Sequence, residues 1–122
     1  MKTTYTTGIL GEQKAEEWLK RKRHMRTLER RYRNKAGEID LIMLDRDTIV
    51  FVEVKTRTNA VPGTGMMSVD RKKQQRIARC AVIYLMENNW LNRSVRFDIA
   101  EVSGDNVIHV SNAFQPGAMF YR

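Results

Sequence analysis

Three ionisable residues lie inside two apolar runs, Asp40 in "GEIDLIMLD" (37–45) and Glu53 and Lys55 in "TIVFVEVKTR" (48–57). Burying charge is costly unless it is paired or bound to a metal. If both runs are strands, residues two apart share a face. Asp40 then sits with Ile42 and Leu44, and Glu53 and Lys55 sit with Ile49 and Phe51. The opposite faces hold Ile39, Leu41 and Met43, and Val50, Val52 and Val54. Both faces are apolar, as in a central hairpin covered on both sides. Pairing Leu44 with Ile49 across "DRDT" (45–48) sets Ile42 opposite Phe51 and Asp40 opposite Glu53. Directly opposed side chains have Cβ atoms about 4.5–5.5 Å apart, so the two carboxylates repel unless a cation lies between them.

Hard oxygen donors of this kind suit Mg²⁺ or Mn²⁺. Such an ion lowers the pKa of its water and polarises a phosphoryl oxygen. The Lys55 amine, diagonally beyond, would orient that water or stabilise developing charge. Asp followed by Glu-x-Lys on the neighbouring strand is thus a compact device for hydrolysing a phosphodiester. The alternative is a buried Glu53–Lys55 ion pair with an incidental Asp40; it leaves Asp40 unpaired, and buried ion pairs stabilise poorly. Glu12 is a candidate to complete the set. On a helical wheel it lies about 20° from Leu19, inside the stripe of Ile9, Ala15 and Leu19, whereas Glu16 and Glu17 fall at or beyond its edge. The alternative for Glu12 is an edge residue in a local pair, but position 16 is also acidic.

These residues need elements to hold them. Residues 8–23 read as a helix, with Ile9, Ala15, Trp18 and Leu19 apolar. Residues 25–33 read as a strand rich in arginine. Residues 38–44 and 48–56 are the hairpin strands. "NAVPGTG" (59–65) is a loop with Pro and Gly breakers; it lacks the lysine and spacing of a phosphate loop and reads as a flap or turn. Residues 69–88 form a second helix on Ile77, Ala78, Ala81 and Leu85. Residues 94–102 and 106–111 are two further strands, and the stretch from Asn112 onward reads as irregular. The order is α-β-β-β-α-β-β, which predicts one α/β domain over residues 1–122, a central mixed sheet flanked by helices.

The composition fits a globular chain of 122 residues, 42% hydrophobic and 30% charged. No apolar run approaches the roughly 20 residues needed to cross a bilayer, and no secretory h-region opens the chain. One cysteine, Cys80, excludes an intrachain disulfide and fits a reducing, cytoplasmic setting; it reads as a small core residue. His24 and His109 read as isolated, so no zinc set can be assembled. The net charge is +8 and the pI about 10.0. Residues 20–35 hold nine Lys or Arg, at 20, 21, 22, 23, 26, 30, 31, 33 and 35, against one acid, Glu29. Such a block favours a polyanion, with a solvated basic face as the alternative. Arg96 and Asp98 share a strand face and read as an ion pair.

"GEIDLI" (37–42) followed by "FVEVKTR" (51–57), after "GEQKAEEWL" (11–19), resembles the YraN family of bacterial proteins. That family is related to the PD-(D/E)-x-K nuclease superfamily and similar to archaeal Holliday-junction resolvases. The likeness runs from Gly8 to about Phe114 and includes "KKQQRIARCAVIYL" (72–85), "RFDI" (96–99) and "NAF" (112–114). It implies a restriction-endonuclease-like core. It further implies that Asp40 and Glu53 bind metal, that the Val54 carbonyl is a further ligand, that Lys55 is the catalytic lysine, and that Glu12 is the helix-borne acid of the resolvase branch. Ile39 stands where the motif's name places proline. Lys73 and Gln74 fall in the family's helix motif and would grip a phosphate. With Arg57 and the basic block, Arg31 and Arg33 within it, they would position nucleic acid without reading its sequence.

The expectation is a Mg²⁺- or Mn²⁺-dependent endonuclease acting on branched or otherwise structured DNA, with no membrane partner. By analogy with resolvases, which cut two strands symmetrically, a homodimer is expected. The rival expectations are a nucleic-acid-binding protein that keeps the site but cuts little or nothing, and an interaction protein whose basic face binds an acidic partner.

Overall fold

The computed structural model describes residues 4–57 and 69–115, with side chains from residue 8. Two helices and five strands follow in the expected order: α1 (Thr4–Arg23), β1 (Arg26–Asn34), β2 (Gly37–Asp45), β3 (Thr48–Arg57), α2 (Arg71–Glu87), β4 (Val95–Ser103) and β5 (Asn106–Phe114). The strands form one sheet in sequence order. Only β3 and β4 run parallel, because the α2 crossover separates them while short turns join the antiparallel pairs.

The β2–β3 register is the one the hydrophobic pattern predicts. Leu44 pairs with Ile49 and Ile42 with Phe51, and Asp45 opposite Thr48 leaves Arg46 and Asp47 as the turn, Arg46 at φ +57°. α1 covers one face of the sheet. There Ala15 and Leu19 pack with Leu41, Met43, Val50, Val52, Ala100 and Val102. α2 covers the other, where Ile77, Cys80, Ala81, Tyr84 and Leu85 meet Ile42, Ile49, Phe51, Phe97 and Ile99. The hairpin is thus buried on both faces, and Cys80 is the expected core residue, fully buried.

Several boundaries move. α1 begins at Thr4 rather than at residue 8. α2 begins at Arg71 because the Asp70 carboxylate accepts the Lys73 N–H at 2.8 Å and caps the helix. β5 continues to Phe114 instead of ending at Ser111. Asn112 takes φ +53°, the register shifts between Phe97 and Ile99, and the bulge lets Phe114 stack on Phe97 at 5.2 Å. The predicted loop 59–65 and residues 116–122 lie outside the described residues.

β1 is an edge strand. Its arginines face outward while Leu28 and Tyr32 pack on the α2 side. A row of cations on an exposed edge discourages pairing with another chain. Glu16, expected at the margin of α1, is buried, and its carboxylate accepts from Thr27 Oγ1 and from Arg30 Nε at 2.9 Å. Burial pushes its pKa up, but the bonds from Arg30 and Thr27 outweigh that and hold it below the ordinary range. His109 is not isolated. Its Nε2 lies 2.7 Å from Asp98 Oδ2, and Asp98 also accepts from Arg96 Nε at 3.0 Å and the Asn112 N–H at 2.9 Å. The β4–β5 pairing, invisible to a search for local neighbours, brings them together. Among the described residues no helix is long and apolar enough to cross a membrane.

Candidate active site

The regular β2–β3 ladder ends at Leu41–Val52. One residue further, where the register would set Asp40 opposite Glu53, the alternation of β2 breaks. Ile39 packs with the α2-side core beside Ile42, although Leu41 and Met43 face α1. Asp40 takes the place of a ladder partner, its Oδ2 accepting the Val54 N–H at 2.8 Å. The N–H and C=O of one strand residue leave the backbone on the same side, so the Val54 carbonyl also turns toward Asp40.

Burial, the Glu53 charge and the Glu12 charge together push the Asp40 pKa up to about 8, against the opposing pull of the Val54 N–H. The Glu53 Oε1 atom lies 3.7 Å from Lys55 Nζ and 3.1 Å from Lys73 Nζ. Burial, and then the neighbouring Lys73, lower the Lys55 pKa. Lys73 shifts the other way: burial opposes its charge, but Lys55 and Glu53 hold its pKa up.

Glu12 arrives from α1 because that helix approaches β3 closely. A Cβ at Gly11 would fall 2.0 Å from Thr56 Oγ1, so a residue without one is required there. Glu12 Oε1 accepts from an Arg31 terminal nitrogen at 2.9 Å. Arg31 lies between the pairs Arg30–Leu41 and Tyr32–Ile39, hence opposite Asp40 on the β1 side, and takes φ +50°. At the parted end of the hairpin, Asp40 thus meets the Val54 backbone, Glu53 holds Lys55 and Lys73, and Glu12 adds its charge to Asp40 from the helix side.

The residues assigned to nucleic acid disperse. Arg31 is held by Glu12, and Arg33 pairs with Glu38 at 2.8 Å. Arg57 faces Glu101 at 3.9 Å. Gln74 donates to the Val69 carbonyl at 3.0 Å. Lys73 points at Glu53 rather than outward. Lys73 as a neighbour of the carboxylates is the residue that strand-based reasoning missed. Only the seating of α2 on the sheet reveals it.

Among the described residues no three His, Cys, Asp or Glu side chains gather closely enough to hold an ion by themselves. The donor set on offer is two carboxylates and one carbonyl, which fits an ion that keeps several waters, as Mg²⁺ does. Asp40 supports that fit: a half-buried acid on the Val54 N–H, its pKa raised first by loss of water and then by the Glu53 charge, favours a cation beside it. A hollow of about 240 Å³, lined by Gly37, Glu38, Lys73, Arg76 and Ile77, opens beside Lys73. A larger one, about 550 Å³, surrounds Arg23, His24 and Arg46 at the hairpin's turn. Neither is lined by Glu12, Asp40, Glu53 or Lys55.

A family model described as "Uncharacterised protein family UPF0102" matches residues 11–102. Among similar proteins, a UPF0102 protein of Persephonella marina is 39% identical over 111 residues, covering 91% of this chain and 95% of its own. One from Alkaliphilus oremlandii is 42% identical over 116 residues, covering 88% and 96%. One from Caldanaerobacter subterraneus subsp. tengcongensis is 41% identical over 116 residues, covering 89% and 94%. A solved structure described as "Crystal structure of SSO0001" aligns at a TM-score of 0.46 and 16% identity, over 95% of this chain and 54% of that one. By the family model and these relatives alike, the chain belongs to UPF0102, the family its YraN-like motifs pointed to.

Proposed function

We propose that this protein is a metal-dependent endonuclease that hydrolyses phosphodiester bonds, acting on branched or otherwise structured DNA. The observation that carries the proposal is the gathering of Asp40, Glu53 and Lys55 around the Val54 backbone where β2 and β3 part. Asp40, Glu53 and the Val54 carbonyl would hold Mg²⁺ or Mn²⁺. Such an ion, when bound, supplies a more acidic water and a polarised phosphoryl oxygen. Lys55, its pKa lowered, would orient the attacking water; as the new O–P bond forms and the old P–O bond breaks, the water's proton passes to solvent and the leaving oxygen takes one from solvent. Glu12, steadied by Arg31, positions the water or the ion from the helix side.

The nucleic-acid partner, a symmetric homodimer and a cytoplasmic location belong to the same proposal. A second reading, a nucleic-acid binder that cuts little, draws on one observation: two ammonium groups already neutralise Glu53. The test offers branched, flapped, single-stranded and linear DNA to the protein with Mg²⁺, with Mn²⁺ and with EDTA. Cleavage of branched or flapped DNA that EDTA abolishes supports the first reading. Salt-sensitive binding without cleavage supports the second.

A further inference from the structure

Two hollows lie in a row between α2 and the β1–β2 turn and together make a groove. The first is the 240 Å³ hollow, where Lys73, which holds Glu53, meets Arg76 and Gly37. The second is a pocket of about 370 Å³ lined by Lys35, Ala36, Arg79, Val82 and Ile83. The turn residues 35–38 form one wall throughout. The other wall is α2, where Arg76, Arg79 and Ile83 follow at three-and-four spacing and so lie along one side of the helix.

The groove's charge is one-sided. All fourteen acids of the chain lie in the described residues, yet the only one lining either hollow is Glu38, which Arg33 neutralises at 2.8 Å. Among the described residues Lys35, Arg76 and Arg79 are exposed and make no ion pair. The far pocket is different in character. Ala36, Val82 and Ile83 floor it, and the aliphatic stems of Lys35 and Arg79 wall it while their charged ends reach the rim.

We propose that this groove binds an unpaired strand of the nucleic-acid substrate, phosphates on Arg76, Arg79 and Lys35, and one base seated in the apolar pocket. The proposal rests on the nuclease reading and deepens it, since it names a single-stranded arm as the feature recognised. Lys73 to Ile83 spans about 15 Å of helix, room for about four stacked nucleotides at roughly 3.4 Å each. A cationic track with an apolar seat is how single strands are held without sequence preference. An acidic peptide with an apolar side chain would also suit the pocket's chemistry. The strand is preferred because Lys73, which lines the first hollow, pairs with Glu53 of the candidate site, and the exposed cations along the groove suit a run of phosphates.

The test is fluorescence anisotropy in EDTA, with a labelled blunt duplex and the same duplex carrying a short unpaired dT arm. The arm is expected to tighten binding by about tenfold or more. Arg76→Ala with Arg79→Ala removes that gain, leaves blunt-duplex affinity within about twofold, and leaves the melting temperature unchanged. One abasic nucleotide placed for the pocket weakens arm binding about fivefold, at the lower end of what a base contact contributes. The proposal is overturned if the arm adds nothing to duplex binding, or if the arginine variant keeps the gain. It is also overturned if an acidic peptide ending in phenylalanine binds through Arg79 while the arm does not. Because no metal is present, the result is separable from catalysis. Arm binding in EDTA with no cleavage of the same DNA when Mg²⁺ or Mn²⁺ is then supplied upholds the groove and defeats the nuclease reading, and cleavage with either metal but no arm effect does the reverse.

Discussion

Replacing Asp40 with Asn tests whether the parted hairpin holds an acid that wants a cation. The side chain keeps its shape and an oxygen for the Val54 N–H, and loses only its charge. In the folded protein the Asp40 pKa is pushed up to about 8 from an ordinary 3.8. The folded state therefore binds this proton more tightly than the unfolded state. Stability from the protonated form is fully present below the unfolded pKa and is lost as pH rises through the folded one. Each full pH unit of such linkage is about 1.4 kcal/mol, so between pH 6 and 8 the metal-free wild type loses about 2 kcal/mol from this group. For a domain of this size that is roughly 6–10 °C of melting temperature. Asp40→Asn escapes the loss, so in EDTA the variant gains on the wild type as pH rises from 6 to 9. Adding Mg²⁺ takes back most of that gap: at ten times its dissociation constant it stabilises the wild type by about 1.4 kcal/mol and leaves the variant where it was. Thermal melts across pH, with EDTA and with Mg²⁺, read all of this. A variant destabilised equally at every pH, or stabilised by Mg²⁺ as much as the wild type, refutes the reasoning.

Gly11→Ala drives a methyl into Thr56 Oγ1. A loss of about 1–3 kcal/mol is expected for such overpacking, with partial recovery in Gly11→Ala/Thr56→Ala by chemical denaturation. Glu16→Gln removes the charge that Arg30 and Thr27 hold and should cost about 1–3 kcal/mol. Because the Glu16 pKa is lowered on folding, its stabilisation is present above pH 4.5 and lost as pH falls through the folded value, so the gap between wild type and variant closes in acid melts. Burial pushes the Cys80 thiol up to about 11, so a thiol reagent at pH 8 should label it only on unfolding.

The architecture and the hairpin register were legible because they depend on local pattern. A tight turn at Arg46–Asp47 and a two-residue apolar period on both strands leave one register that buries both faces. That register alone brings Asp40 toward Glu53. The manner of their meeting was not legible. Strict alternation puts Ile39 with Leu41, but the strand turns at the parted end, so Ile39 joins the opposite core and Asp40 drops onto the Val54 N–H. Partners that belong to tertiary packing were hidden too. Glu16 finds Arg30, and His109 finds Asp98, across separate elements. Lys73 was assigned to phosphate from its place near a helix start, and only the docking of α2 shows it on Glu53. The stretch from Asn112 onward reads as irregular in the sequence, whereas its left-handed backbone makes a bulge and the strand runs on to Phe114.

The central claim is that Lys55 and its two neighbouring carboxylates perform phosphodiester hydrolysis. Single-turnover cleavage of a labelled branched duplex in Mn²⁺, by wild type and by Lys55→Ala at equal DNA occupancy, tests it most directly. Cleavage by the wild type and a loss of about a hundredfold or more in the variant is predicted, the usual contribution of a group that positions the nucleophile or stabilises developing charge. A folded, DNA-bound wild type that leaves the duplex intact, or a variant that cuts it as fast, contradicts the claim.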